Sequence, residues 1–573
     1  MENKISDFRP IPYQIRIGVT GHRKLEHPEV LREKVEQALN HVLWTLFGES
    51  ARKTIERVKQ AGTTPVLYRV LSALAEGADR IVARAVLEHP EASLLAVLPL
   101  TVEDYFEDFK TDVSKQEFRE FLSKSNRTVM LRKRNIREDR RDPLDQHELR
   151  NEAYEAAGRY VVNHCDLLFA VWDGEPARGR GGTAEIVEYA LRNNRPVIQI
   201  GEDGLKVLNR KKSQILDATA IDGIDRFNML LIKDQQRAKF TRKLDREFFQ
   251  KPKAAAAIPA DMRAMVNRCL LPYYIQASIV AEESRDAFQH KGRNVYALSA
   301  AAVGCAAVGV LFPTLAVVGF GAELALLIAI PVTLRQEMNT GKHRTWIEHR
   351  FLTERIRAGI FLAICGVDPS PFNVPAYMGH SQTVNDWTVR AFQEIWDRLP
   401  PFAGCSASSC ESLNKYVREA WIDDQIKFHK GKQEREGRIH RTLTRTGSIV
   451  LTTTVIAAAV HLLFLLFVAE PTASAGTWRT VHTGLHHGLT FVALLFPAIA
   501  ASLAALDDQG EHRRLERRSE NMKEQLERLG PQLASAKTPE EFEKALQDLD
   551  EQLMLREIQD WLMLMRYVEI KAG

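Results

Sequence analysis

Along the first 200 residues, short runs rich in β-branched and apolar residues alternate with stretches of helical period. The runs Ile15–Val19, Pro65–Leu71, Leu94–Leu98, Thr128–Leu131, Leu167–Trp172 and Pro196–Ile200 read as strands. Helical patterns near 29–47, 79–89, 145–163 and 184–193 separate most of them. This alternation predicts an α/β domain over 1–201, a Rossmann-like parallel sheet with helices on its faces. Ligands of such sheets bind beyond the carboxyl ends of the strands.

Beyond a helical connector (202–264) the pattern changes. Ser448–Ala469 and Leu485–Leu506 contain no Lys, Arg, Asp or Glu, and each approaches the ~20 residues that cross a hydrocarbon core. Between Val295 and Leu334 the only formal charge is Glu323. A turn at Pro313 divides this segment into two short spans with Glu323 inside the membrane. A turn at Gly319-Phe320-Gly321 leaves Glu323 at the interface instead. Inside the membrane it is a candidate to line a pore or to pair across subunits. About four transmembrane helices are predicted, in an all-α polytopic domain.

The two apolar pairs form a repeat. The first runs out into Gly341-Lys342-His343-Arg344 and the second into Gly510-Glu511-His512-Arg513. One unit covers 265–365 and the other 413–573. The interval 366–412, rich in Pro, Gly, Ser and Cys, reads as an irregular connector. Trp346, Ile347, Phe351, Leu352, Ile356 and Ile360 stand near the spacing of one helical face. Thr538-Pro539-Glu540-Glu541 opens the last helix with a cap, a first-turn proline and a capping glutamate, and that helix is expected to end near Trp561 and Tyr567. His343 and His512 occupy matching places and read as polar caps at the headgroup level.

Flanking charge sets the expected orientation. Lys291, Arg293, Arg335, Lys342 and Arg344 bracket the first pair; Arg438, Arg441, Arg445, Arg513, Arg514, Arg517 and Arg518 bracket the second. The loop between the last two spans carries a single basic residue, Arg479. The positive-inside bias places both termini and the middle region in the cytoplasm of a multi-pass inner or plasma membrane protein. A net charge of +4 gives no case for nucleic acid as a partner. The six cysteines show neither metal-ligand spacing nor disulfide-framework density. They read as free thiols, and the polar N-terminus reads as no cleavable signal peptide.

Three loops at the predicted strand ends carry candidate chemistry. Thr20-Gly21-His22-Arg23 follows the first strand; glycine lets an anion approach the backbone, and arginine supplies a forked donor. Ser72-Ala73-Leu74-Ala75-Glu76-Gly77-Ala78-Asp79 leads into a helix whose N-terminus can hold an anion. Gly179-Arg180-Gly181-Gly182-Thr183-Ala184-Glu185 again joins a strand to a helix. Three such loops on one sheet edge point to a nucleotide-type ligand. No cofactor or metal is identified.

These residues carry a resemblance. The order IGVTGHRKL, VLSALAEGADRIVARAVL, LLAVLPL and CDLLFAVWDGEPARGRGGTAEIVEYALRNNRPVIQI, over about 14–201, resembles the SLOG superfamily. That superfamily includes the DNA-processing protein A family and the Lonely Guy cytokinin-activating phosphoribohydrolases. Ala75–Asp79 resembles the ARGID stretch of the former, and Gly181-Gly182-Thr183 with Glu185 resembles the PGGxGTxxE motif of the latter. The chain departs from that motif: Arg180 replaces the proline, no second glycine precedes Thr183, and Glu185 follows Thr183 by two residues rather than three. The phosphate cradle is better preserved than the catalytic carboxylate Glu185, for which Glu188 is a weak substitute. The region from about 265 onward is similar to a duplicated SLATT domain, the SMODS- and SLOG-associating two-transmembrane effectors.

The resemblances imply a membrane-embedded homo-oligomer in which the SLOG-like domain senses a nucleotide or nucleotide-derived signal. That signal would control a pore-forming or membrane-disrupting assembly in prokaryotic, including antiviral, conflict defence. The alternatives are a membrane-anchored nucleotide N-glycoside hydrolase using Glu185, and a scaffold with an inert α/β domain.

Overall fold

The computed structural model describes residues 8–42, 44, 46–132, 143–176, 180–208, 218–368, 387–400, 407–468 and 476–550. In chain order it forms β1 (Tyr13–Gly21), α1 (Pro28–Gln37), α2 (Glu49–Ala61), β2 (Val66–Ser72), α3 (Ala78–Leu87), β3 (Ser93–Leu98), α4 (Val102–Phe106) and α5 (Asp112–Lys124). There follow β4 (Arg127–Met130), α6 (Pro143–His164), β5 (Leu167–Val171), α7 (Thr183–Arg192), β6 (Val197–Gly201), β7 (Gly204–Leu208) and α8 (Ala218–Asn228). Helices then dominate: α9 (Asp234–Asp245), α10 (Ala260–Cys269), α11 (Leu271–Leu311), α12 (Ala316–Thr340), α13 (Lys342–Cys365), α14 (Trp387–Trp396) and α15 (Ala407–Val417). The last are α16 (Asp423–Phe467), α17 (Gly476–Gly510), α18 (His512–Ser535) and α19 (Pro539–Leu549). Two compact units result: Met1–Leu231 with Phe372–Pro401, and Ile232–Pro371 with Phe402–Gly573.

The first unit is built on a sheet of order β4-β3-β2-β1-β5-β6-β7. Every pairing is parallel except β6 with β7. Strand order reverses between β1 and β5, the switch point where a crevice opens at the carboxyl ends. β5 is buried throughout, so it reads as a continuous apolar run rather than an alternating one. Glycines let α6 approach the sheet and α7 closely. A Cβ at Gly18 would lie 2.7 Å from Val161 Cγ1, and one at Gly158 2.4 Å from Ile186 Cδ1. The seventh strand goes beyond the sequence expectation; a tight Glu202-Asp203 turn folds it back on β6. Residues 49–61 and 112–124 are further helices that the sequence pattern did not single out.

The interval read as an irregular connector contains α14, and this helix belongs to the α/β unit. The row it meets is polar residues inside the strands, which the strand pattern did not single out. Arg16, Arg69 and Ser93 are register partners across β1, β2 and β3, so these polar side chains, with Gln14 two residues before Arg16, line one face of the sheet. α14 brings Arg390, Gln393 and Glu394 to that row, and Asp397 follows it. Trp387 packs on α8, where a Cβ at Gly223 would lie 2.3 Å from the indole Cγ.

The second unit is helical, and four of its helical segments are long and apolar enough to cross a membrane. Their surfaces are apolar yet open: Val317 is 88% and Phe467 81% exposed. Such unpartnered apolar area fits a lipid environment. α11 ends where Phe312 precedes Pro313, with φ −123° and ψ 88°, the extended backbone that proline imposes on its predecessor. The first hairpin therefore turns at Pro313–Leu315, and the Gly319–Gly321 alternative is overturned: Gly319 and Gly321 lie inside α12. Gly319 is needed there for packing, since its Cβ would lie 2.8 Å from the Cys305 carbonyl oxygen of α11.

The repeat is structural. In each copy one long helix, α11 or α16, packs along both the returning span and the helix that follows it, and α11 against α17 joins the hairpins. Phe312 meets His487 edge-on at 5.4 Å between ring centres, and Ser502 Oγ donates to the Tyr296 carbonyl at 3.3 Å. The break after each hairpin differs by one position: Gly341 takes φ +56° in the first copy, whereas Glu511 takes φ +49° in the second. The matched histidines differ accordingly. His343 stacks on Phe288 at 4.4 Å, while His512 Nδ1 lies 2.6 Å from Glu436 Oε2. At α19, Thr538 Oγ1 accepts the Glu541 N–H at 3.2 Å and Glu541 Oε2 accepts the Lys537 N–H at 2.8 Å. Trp561 and Tyr567, expected near the end of that helix, lie outside the described residues.

Candidate functional site

A cavity of about 300 Å³ opens at the carboxyl ends of β1 and β5. The first loop contributes Thr20, Gly21, His22 and Arg23, the second Ala73, Ala75 and Asp79, and the third Arg180, Gly181, Gly182, Thr183 and Ala184. All three loops thus meet in one site, the arrangement expected at a switch point.

Glycine makes the convergence possible. Gly77 takes φ +80°, and a Cβ there would stand 2.4 Å from the Arg23 carbonyl oxygen. That contact lets Ala78 N–H donate to the His22 carbonyl at 3.1 Å, tying the first loop to the second. A Cβ at Gly21 would lie 2.4 Å from Ala78 Cβ and 2.7 Å from the Val171 carbonyl oxygen. At Gly181, with φ +76°, a Cβ would stand 2.8 Å from the Glu155 backbone nitrogen.

The predicted residues divide into those that face the cavity and those that shape it. Ser72, Glu76 and Gly77 are not on its wall. Ser72 Oγ accepts the Leu74 N–H at 3.0 Å and donates to Asp79 Oδ2 at 3.2 Å. Asp79 Oδ2 also accepts the Ala75 N–H at 3.3 Å. Glu76 accepts from the Ser114 hydroxyl. These bonds hold Leu74 at φ +59°, a conformation rare for a branched residue. Burial pushes the Asp79 carboxyl up to about 6, against the Ala75 N–H, the Ser72 hydroxyl and the Arg23 charge, which act to lower it.

Glu185, the sequence-level catalytic candidate, is also outside the cavity wall. Its Oε2 accepts the Gly181 N–H at 2.7 Å, bracing the third loop. Arg180 Nε is held by Glu155 at 2.7 Å. Glu188, the substitute, pairs with Arg192 at the surface. Gly182 forms the N-cap of α7 with no side-chain cap, so the first amides of that helix are open to an anion. Gly179, which opens the third loop in sequence, lies outside the described residues.

Side chains the sequence reading missed complete the site. Pro99, Tyr105, Tyr154, Trp172 and Glu175 line it. Arg23 sits 5.3 Å over the Tyr154 ring and 3.7 Å from Asp108, and Arg150 holds Asp108 at 2.8 Å. Burial raises the Tyr105 hydroxyl well above its ordinary range. Tyr105 and Tyr154 reach the cavity from helix faces, where period alone reads them as packing; only Trp172, at a strand end, carried a local signal. Elsewhere, Glu26, His27 and Glu202 bring ligand atoms within 4.8 Å of one another, but all three are exposed.

Glu323 lies about two turns into α12 and is half-buried. It has no hydrogen-bond or ion-pair partner among the described residues.

No known family model matches the chain, and no curated protein matches it.

Proposed function

We propose that this protein is a membrane-embedded effector whose α/β unit senses a nucleotide or nucleotide-derived signal. The observation that carries this reading is the meeting of three strand-end loops around one cavity, beside the uncapped N-terminus of α7. Helix-end amides and the Arg23 fork suit a phosphate; the Tyr105, Tyr154 and Trp172 rings suit a base or sugar face. The SLOG-like and SLATT-like resemblances agree with this assignment. In this reading both termini face the cytoplasm, and the protein acts in prokaryotic conflict defence.

Binding is favoured over turnover because Glu185 is committed to the Gly181 amide. A homo-oligomer is favoured by Glu323: a carboxylate within a span calls for a partner, and none lies within hydrogen-bonding reach among the described residues. Copies of the chain would supply it around a pore, whose opening requires the ligand to discriminate between two states.

The test is a thermal-shift screen of the full chain in lipid nanodiscs against 5′-AMP, ADP-ribose and cyclic dinucleotides. A true ligand at 100 times its Kd stabilises by about 2.7 kcal/mol, and Arg23→Ala or Gly182→Val abolishes the shift. The same ligand raises ion flux in proteoliposomes. Stabilisation without flux would reject the pore, and release of free base lost in Glu185→Gln would establish the hydrolase instead. No shift with any nucleotide class would overturn the sensor reading.

A further inference from the structure

We propose that α14 is a clip that couples the three ligand loops to the chain segments entering and leaving the membrane hairpins. This rests on the reading of the cavity as a ligand site. It assigns a role to the buried charge network, which that reading leaves unexplained.

The network is extensive and largely buried. Asp166, with its side chain fully buried, receives Arg16 Nη2 at 3.2 Å and Arg390 Nη1 at 3.2 Å. It also accepts the Arg16 backbone N–H at 2.9 Å. Arg390 donates to the Gln14 carbonyl at 3.2 Å, and Gln393 accepts from Arg16 Nη1 at 3.0 Å. Arg69 pairs with Asp397 and, at 3.5 Å, with Glu394; Arg127 reaches Asp397 at 3.0 Å. Buried charges depend on every partner, because removing one strands the others in a low dielectric. The helix is therefore held in a docked state with few intermediates.

The placement of these charges gives the clip its reach. Three of the strands that carry or adjoin a docking group end in a ligand loop, whereas β4, which carries Arg127, does not. β1 carries Arg16 and ends at Thr20–Arg23. β2 carries Arg69 and ends at Ser72, the start of the second loop. Asp166 immediately precedes β5, which ends beside Trp172 in the cavity wall. A movement of the loops that shifts these strands acts on the docking row directly. In chain order α13 and the first hairpin precede α14, and α15 and the second hairpin follow it. Coupling is a free energy between sites, and its test is energetic.

Hydrogen exchange of the full chain in nanodiscs supplies it in two arms. In the first, without ligand, Arg390→Gln is compared with the native chain. Amides of Trp387–Trp396 and of Thr20–Arg23, Ala73–Gly77 and Arg180–Thr183 should exchange about tenfold faster, while α1 and α2 stay unchanged. The last turn of α13 and the first turn of α15 should respond with them. Fast exchange in α14 with unchanged loops would overturn the proposal and leave the helix as a cover. Unchanged α13 and α15 ends would overturn the transmission. Gln393→Leu, which removes one hydrogen bond and no charge, gives the same two outcomes more mildly if Arg390→Gln fails to fold. The second arm uses 5′-AMP as probe. Protection of the loops and α14 together supports coupling, and protection of the loops alone overturns it. Protection of neither speaks against AMP as the signal, and the first arm still decides the clip.

Discussion

Asp79 illustrates how a single residue in this site serves shape before chemistry. Its carboxylate gathers the Ala75 N–H and the Ser72 hydroxyl, so the loop around Leu74 is held by one buried acid. Burial raises its pKa to about 6 from 3.8. A group raised in the folded state stabilises fully below its unfolded pKa, and that contribution is lost as pH rises through the folded value. The native chain should therefore lose thermal stability between about pH 4 and pH 7 more steeply than Asp79→Asn, whose side chain stays neutral. Calorimetry or tryptophan fluorescence across that range decides it, and parallel profiles would show that Asp79 is not raised. Of the site residues, Arg23, Gly181 and Gly182 were legible because loop glycines and a strand-end arginine stand out in sequence. Tyr154 was not, because a tyrosine on a helix face looks like core until the opposite wall is known. Glu185 was legible as a carboxylate but not in its role, which depends on which amide it faces.

At the scale of elements, the six parallel strands were readable from β-branched runs within a few residues of their ends. β7 was not, since a short strand led by glycine has little pattern of its own and forms through pairing to β6. The choice between Pro313 and Gly319–Gly321 for the first turn depended on a neighbour. The glycines serve close packing on α11, and proline breaks the helix. The repeat motif also concealed an offset. The left-handed residue after the first hairpin is Gly341, but after the second it is Glu511 rather than Gly510. A left-handed conformation costs a non-glycine residue about 1 kcal/mol. Glu511→Gly should therefore raise stability by up to about 1 kcal/mol despite greater freedom in the unfolded chain. Gly341→Ala should lower it by a similar amount, both read from unfolding midpoints in detergent. A loss on Glu511→Gly would mean that its ion pair with Arg514 outweighs the backbone strain.

For the whole molecule, the α/β unit is discontinuous in sequence. Its sheet carries the Arg16, Arg69 and Ser93 row, and the acids that meet it arrive from beyond the first hairpin. A fragment ending at Leu231 should consequently be unstable or open on that face. Joining residues 387–400 to it through a flexible linker should restore stability by several kcal/mol, since each buried side chain such as Trp387, Ile395 or Trp396 contributes about 1.5–3 kcal/mol. Equal melting of the two fragments would refute the dependence. This discontinuity hid from the sequence because α14 is short and flanked by Pro, Gly and Ser, so its neighbourhood reads as linker. The polar residues inside β1 and β2 were the only hint that something charged had to cover them.

By itself the sequence determined which segments are strands, which helices are apolar enough to span a membrane, and where glycines free the backbone at strand ends. Those are local properties, set by side-chain period, length and φ preference. Only the tertiary structure decided that three loops share one cavity, that Glu185 braces a loop, that the first hairpin turns at Pro313, and that the interval between the hairpins completes the α/β unit. Each of these depends on which distant group a residue meets, and period along the chain carries no record of that partner.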